Sequence, residues 1–469
     1  MIQAVLENGG NRAEVLPVAT REDLLTGREV ADIDQCCPTS FTTGNLVNFV
    51  RKKSQQHGAE ETAKRYVYLT AGACGACRFG QYHQSYELGL RNAGLDAFRM
   101  FLLDQEQLNQ ESVAGGGLAL DVPMTLGCLW GIFCTDLVQD LEYQVRPYEV
   151  VPGRTDAVVR ESVELLYEIF RRRPRHGPWR SIAWHLTTSS FTKALREIHK
   201  KFSAIEVDRL RVKPSVKITG EFYLQTVEGD PNYNIHRWLE GKARRCIRQP
   251  SPSGWTISCA WGSRDSRITV ASSAGLASSS GWAAWPRSST ARTYNRLRRA
   301  MGNLPHELPS QFELRRLAAP YFHSRLDGGE GDMLVGKALW AHQHKKAHMI
   351  CELSPYACMP NTMSVGAMAG VIGKHPDLLY APLEIKGDAE VHALSRCQMI
   401  LTEARKRAQK EFEDALARTG LTLAGVRGYV DAHPELKRAT YRVPHGDAAG
   451  TAANLVLHVA TLMRRGRER

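Results

Sequence analysis

Residues Thr70 to His83, T-A-G-A-C-G-A-C-R-F-G-Q-Y-H, constrain the fold more than any other stretch of the chain. An apolar run (Tyr66, Val67, Tyr68, Leu69) leads in, and a helical pattern (Tyr86, Leu88, Leu90, Ala93) leads out. The order is strand, glycine-rich turn with two cysteines, helix. In open α/β sheets, sites form at such carboxyl ends of strands. Gly72 and Gly75 let the backbone turn sharply beside the thiols. A chain with this element needs a parallel sheet with helices packed on it.

Cys74-Gly75-Ala76-Cys77 by itself leaves three chemistries open. It reads as a thioredoxin-like redox pair, as half of a four-cysteine zinc site, or as the source of one thiolate for an iron–sulfur cluster. The same context recurs at Cys358, which follows a strand and Pro355 and precedes Pro360 and a helix. It recurs again at Cys37, followed by Pro38 and a helix. Three cysteines, each at a turn into a helix and spread over both halves, point to one metal cluster in a cleft. Helix N-termini aimed at it favour an anionic group. Cys37, Cys358 and at least one of Cys74 and Cys77 are therefore expected within roughly 7 Å of one another, given metal–sulfur bonds near ~2.3 Å. Arg78, Tyr82 and His83 follow the first pair and either line the cleft or bond the turn. Glu221 and Glu352 end strands and either face the cleft or cap helices. Gly329-Glu330-Gly331 offers a weak anion-accepting turn. Cys128, Cys134, Cys351 and Cys397 read as small buried hydrophobes. There is no P-loop, no G-x-G-x-x-G and no D-x-G-x-T pattern, so no ATP site is expected.

The rest of the chain fits an α/β protein with two Rossmann-like parallel-sheet subdomains, a helical connector and a helical C-terminus. The expected divisions are 1–150, an N-terminal α/β subdomain; 151–213, the connector; 214–400, a second α/β subdomain; and 401–469, helices. Residues 1–35 read as a helix and a short strand over 14–18, with the first strand of a doubly wound domain missing. Residues 243–291 break the pattern. They carry Trp255, Trp261, Trp282 and Trp285 among many serines, with no sustained period, and read as frameshifted or disordered. Across 242–291, seven Lys and Arg stand against the single acid Asp265, which accounts for half of the net charge of +12. That charge is therefore not read as a nucleic-acid surface. Eleven cysteines with no secretory signal point to thiols or metal ligands in a cytoplasmic protein. No apolar run of roughly 18 residues is evident, so no membrane partner is expected.

Taken together, C-G-A-C-R-F-G-Q-Y-H, E-L-S-P-Y-A-C-M-P and C-C-P-T-S-F-T-T-G-N-L resemble the 2-hydroxyacyl-CoA dehydratase/benzoyl-CoA reductase superfamily. The likeness is greatest to the dehydratase-like part of the large CoA-substrate-specific enzyme activases. It extends through K-I-T-G-E-F-Y and G-E-G-D-M-L-V-G-K-A-L to A-G-T-A-A-N-L, skipping 243–291. The resemblance implies two Rossmann-like subdomains with a [4Fe-4S] cluster at their junction, held by Cys37, Cys74 or Cys77, and Cys358. It implies low-potential electron transfer from an ATP-dependent activator, or with a dehydratase subunit, toward an acyl-CoA thioester. A double-cubane cluster stays open because of the extra thiol. The other readings are a scaffold held by zinc on Cys37, Cys74, Cys77 and Cys358, and an inactive frameshifted relative.

Overall fold

Every described strand is parallel to its neighbours, so each connection must cross over through helices. The computed structural model describes residues 1–469 except 33–34, 72–76, 104–120, 242–244, 249–286, 324–329 and 468–469. It is a mixed helix–sheet fold with two small parallel sheets. β1 (Val67–Ala71) pairs with β2 (Arg99–Leu103), Val67 opposite Arg99. β3 (Ser215–Gly220), β4 (Arg245–Arg248), β5 (Met349–Pro355) and β6 (Tyr380–Ile385) form the second sheet in the order β4-β3-β5-β6. The register sets Val216 opposite Met349, and Ile350 opposite Tyr380.

Every residue of β3 and β5 is buried, as a parallel sheet covered on both faces requires. One face packs on the long helix from Glu390 to Thr419 through Ala393, Cys397, Leu401 and Ala404. The other packs on the helices Gly331–Gln343 and Met359–Lys374 through Val335, Leu339 and Met368. Gly220 (φ +121°) lies against β5; a side chain there would put its Cβ 2.1 Å from the Leu353 carbonyl oxygen. Only glycine meets both demands.

The helices number in chain order α1 (Ile2–Asn8), α2 (Arg21–Val30), α3 (Cys37–His57), α4 (Ala59–Arg65), α5 (Tyr82–Asn92), α6 (Val122–Val145), α7 (Arg154–Arg171), α8 (Pro178–Thr187) and α9 (Ser190–Ser203). They continue with α10 (Phe222–Thr226), α11 (Ile235–Gly241), α12 (Arg287–Ala300), α13 (Gln311–Ala318), α14 (Gly331–Gln343), α15 (Met359–Lys374), α16 (Glu390–Thr419), α17 (Leu423–Ala432) and α18 (Thr451–Arg467). α1, α6, α7, α9 and α12 share one apolar core around Trp130, Phe133, Phe170 and Phe202. α17 and α18 pack on the C-terminal half of α16.

Several expectations change. Residues 14–18 are not a strand, and α2 follows them, opened by a capping box between Thr20 and Asp23. Pro38 belongs to the helix it precedes in the reading above: it sits in the first turn of α3, where its missing N–H costs nothing. Pro360 stands likewise in the first turn of α15. Within 243–291, residues 245–248 form the edge strand β4 and 287–291 open α12, while 249–286 lie outside the described residues. Among the described residues one helix, Val122–Tyr148, is after all long and apolar enough to cross a membrane by length and composition. It is a core helix: 61% of its apolar window is buried within the protein.

Candidate functional site

The cysteine-bearing turns sit at the carboxyl ends of strands, and a close helix crossing brings the first of them there. α2 and α3 meet at Gly27 and Gly44: a Cβ at Gly44 would fall 1.7 Å from the Asp23 carbonyl oxygen, and one at Gly27 1.8 Å from that of Ser40. The contact directs the N-terminus of α3 toward the second sheet. There the Cys37 N–H donates to the Tyr356 carbonyl oxygen (3.2 Å), tying the head of α3 to the turn between β5 and α15. Ala357 in that turn has φ +61°, a left-handed conformation that an alanine adopts only under constraint. Cys358 follows as the N-cap of α15, and Cys77 precedes the short 3-10 turn Arg78–Gln81 that leads into α5.

The two neighbouring cysteines of α3 face different surroundings. Cys37, the sequence candidate, is buried in the core of the second sheet with Leu24, Phe41 and Leu353. Burial pushes its thiol up to about 12, against the pull of the Arg28 charge. Cys36 turns to the other side. Its Sγ lies 2.8 Å from the Tyr82 hydroxyl and 3.1 Å from Thr39 Oγ1, bridging α3 to α5. Burial raises the Cys77 thiol to about 12, and Glu330, Glu221 and Cys36 act in the same direction. Burial raises Cys358 as well, with Glu330, Glu221 and Cys36 again adding to it. Cys77 and Cys358 thus share two acids, one of which, Glu221, also acts on Cys36, and Cys36 rather than Cys37 is the α3 thiol common to both of the other sites.

Both acids are themselves buried. Glu221 accepts from the Tyr223 and Leu224 N–H groups (2.9 Å each), capping α10, while burial holds its carboxyl above the usual range. Burial and then the Glu221 charge push Glu330 up to about 8. Glu330 is the N-cap of α14, in the turn that sequence reading took as anion-accepting; a carboxyl there faces other acids instead. Thiols and carboxyls together, their pKa values all raised by burial, make a site that gains from a cation and releases protons on binding it.

The remaining candidates fall as follows. Tyr82 is buried against Cys36 rather than open to a cleft. His83 begins α5 half-buried, its Nδ1 enclosed with no hydrogen-bond partner. Arg78 is half-buried at the head of the 3-10 turn. Glu352 does not line a cleft: it is fully buried beneath α15. Its carboxylate accepts from Asn361 Nδ2 (3.1 Å), Ser364 Oγ (2.6 Å) and Tyr380 Oη (2.8 Å), and Asn361 Oδ1 in turn accepts from the Cys358 thiol (3.2 Å). Cys74 lies outside the described residues. Among the described residues, no three His, Cys, Asp or Glu side chains stand close enough together to hold a metal ion. Sequence reasoning passed over Cys36; the signal available was the doubled Cys36-Cys37 ahead of Pro38, since adjacent residues at a helix start face different sides.

No protein-family profile, no curated protein and no solved structure matches this chain.

Proposed function

We propose that the chain is an iron–sulfur protein of the 2-hydroxyacyl-CoA dehydratase/activase type, built on two Rossmann-like subdomains, that carries low-potential electrons toward a CoA-thioester reaction. One observation carries the reading. Cys77 and Cys358 each stand at a helix start beyond a strand end, the head of α3 with Cys36-Cys37 is tied to the turn after β5, and the buried acids Glu221 and Glu330 act on both Cys77 and Cys358, Glu221 on Cys36 as well. Cys358, Cys77 or Cys74, and Cys37 or its neighbour Cys36 would hold a [4Fe-4S] cluster, a double cubane if both thiols of Cys74 and Cys77 join. Bound there, the cluster would supply one-electron chemistry at low potential. The protein side of the site supports this by exclusion of water around the thiols and by two carboxyls whose ionisation burial disfavours beside an anionic group. An ATP-dependent activator or a dehydratase subunit, and an acyl-CoA, are the partners this reading calls for, in a cytoplasmic setting.

Anaerobic reconstitution tests it. The full chain should take up about four irons and four sulfides for one [4Fe-4S] cluster. Cys358→Ala should lose most of that iron. Unchanged iron content in that variant overturns the reading, and zinc alone in anaerobically purified protein moves it to a metal-held scaffold. A second reading has its own support: because no three ligating side chains converge among the described residues, the thiols also fit a relative that binds no metal. Reconstitution with no iron uptake selects it.

A further inference from the structure

An open groove of about 560 Å³ runs between α16 and the segment that enters β3, at the amino end of the second sheet. The cysteine turns stand at the carboxyl ends of strands, so this is a separate place that owes nothing to the iron–sulfur reading. Val212 and Pro214 form the apolar side of the groove, and Val212 packs on the cluster that holds Phe412. The facing wall is one exposed stripe of α16, where Arg405, Lys406 and Lys410 stand with Gln409 and Glu413. Three cations thus line the groove with one carboxylate.

That carboxylate does not serve the cations. Glu413 Oε1 accepts from Gln409 Nε2 (2.8 Å). Glu403, outside the groove, is shared between Lys406 (3.9 Å) and Arg407 (3.6 Å), long exposed contacts of a kind that contribute little. Lys410 has no ion-pair partner among the described residues. Lys406 and Lys410 are four residues apart and so neighbours on the helix surface, where like charges repel. A second groove, about 460 Å³ on the other side of α16, is lined by Lys410, Arg407 and Arg418 as well, but its arginines are matched. Arg407 reaches Glu403 and the Asp377 carbonyl oxygen, and Arg418 faces Asp447 (3.7 Å). The unmatched positive charge therefore lies on the side of Val212 and Pro214.

We propose that the groove between α16 and the start of β3 binds a small organic diphosphate. Its phosphoryl oxygens bridge Lys406 and Lys410 within reach of Arg405, and its carbon skeleton lies on Val212 and Pro214. The volume falls within the range of roughly 300–1,000 Å³ typical of small-molecule sites. Ammonium groups bind phosphate as point charges and a guanidinium binds it through paired N–H donors. The two lysines are one turn apart, about 6 Å along the axis at about 1.5 Å per residue. Two linked phosphoryl groups span that separation better than one. The apolar side adds a surface that a bare anion would leave unused.

The test uses the full, metal-free chain at constant ionic strength without divalent cations, with ADP as the probe beside AMP, pyrophosphate and adenosine. In isothermal titration calorimetry ADP should saturate one site and bind at least about tenfold tighter than AMP or pyrophosphate, while adenosine gives no signal. Lys406→Met and Lys410→Met, on side chains exposed to solvent, should each weaken ADP at least about fivefold. Arg418→Met removes the same charge from the same helix on the other groove and should leave ADP affinity unchanged. No saturable ADP binding, or full affinity in Lys410→Met, overturns the site. An equal loss in Arg418→Met overturns it too, since the response is then a general attraction of anions to a basic helix. AMP binding as tightly as ADP overturns the diphosphate, and pyrophosphate binding as tightly overturns the organic part.

Discussion

The turns carrying Cys77 and Cys358 follow the same plan, yet the protein builds them to different standards. β5 is a central strand of the four-stranded sheet, buried along its whole length. Its turn is fixed at Ala357 by a left-handed backbone, and Cys358 is held through Asn361 to Glu352, itself gripped by Ser364 and Tyr380. β1 has a single described neighbour, β2, and its turn continues into a 3-10 turn through one long backbone bond from the Gly80 N–H to the Cys77 carbonyl oxygen (3.4 Å). Cys77 is only half-buried. The Cys358 turn is a finished socket. Preorganisation in a thiol site therefore resides in the buried polar groups beneath it more than in the cysteine's own sequence motif.

The largest expected effect breaks the finished side. Glu352→Ala removes the acceptor that Asn361, Ser364 and Tyr380 share in a site closed to water, and should cost about 3–5 kcal/mol. Urea unfolding of the metal-free chain measures it. His83→Ala, on the other turn, should cost less than about 0.5 kcal/mol. Equal losses would mean that the two turns are equally built.

The next effect is a pH slope that belongs to the same side. Glu330 is raised to about 8 in the folded chain, so the folded state holds its proton while the unfolded chain releases it near the ordinary value of 4.5. Below the unfolded value both states are protonated and nothing is lost. As pH rises toward 8, stability falls by up to about 1.4 kcal/mol per unit from this group. Glu330→Gln should flatten that part of the profile in metal-free protein. An unchanged slope would show that the carboxyl ionises freely in the fold.

A smaller change tests how the first turn is brought to the second. Gly44→Ala drives a methyl into the Asp23 backbone across the α2–α3 crossing and should cost about 1–3 kcal/mol. Because that crossing aims Cys36 and Cys37, the substitution should also lower metal uptake in reconstitution. A variant that loses stability but keeps its full iron content would separate the crossing from the site.

What the sequence made legible follows from what is local. The runs at 216–222, 347–351 and 378–385 and the helical period of about 389–418 are written in neighbouring residues, so three strands of the second sheet and its covering helix could be read directly, while β4 fell in the stretch read as frameshifted or disordered. The prolines mark helix starts because their effect depends on position: Pro38 and Pro360 sit in a first turn, although the same residue inside a helix would break one. The division of labour between Cys36 and Cys37 was hidden for a different reason. It depends on the rotation of α3, which Gly27 and Gly44 determine by letting α2 approach across space. The burial of Glu352 beneath α15 and the gathering of Glu221 with Glu330 are likewise tertiary facts. In sequence both looked like ordinary strand-end or turn carboxylates.

The smallest expected effect is the sharpest probe of the contrast. Tyr82 joins α5 to α3 through Cys36, and Tyr82→Phe removes the 2.8 Å contact while Thr39 keeps its own at 3.1 Å. The stability loss should be about 0.5–1.5 kcal/mol. The informative readout is thiol reactivity in metal-free protein. If the turn before α5 is a loosely tied unit, Cys36 and Cys77 should alkylate several-fold faster in the variant, while Cys358, anchored through Asn361 and Glu352, keeps its rate. If Cys358 accelerates with them, the two turns open together. The site would then be one cooperative unit, and the difference in their construction would carry no difference in dynamics.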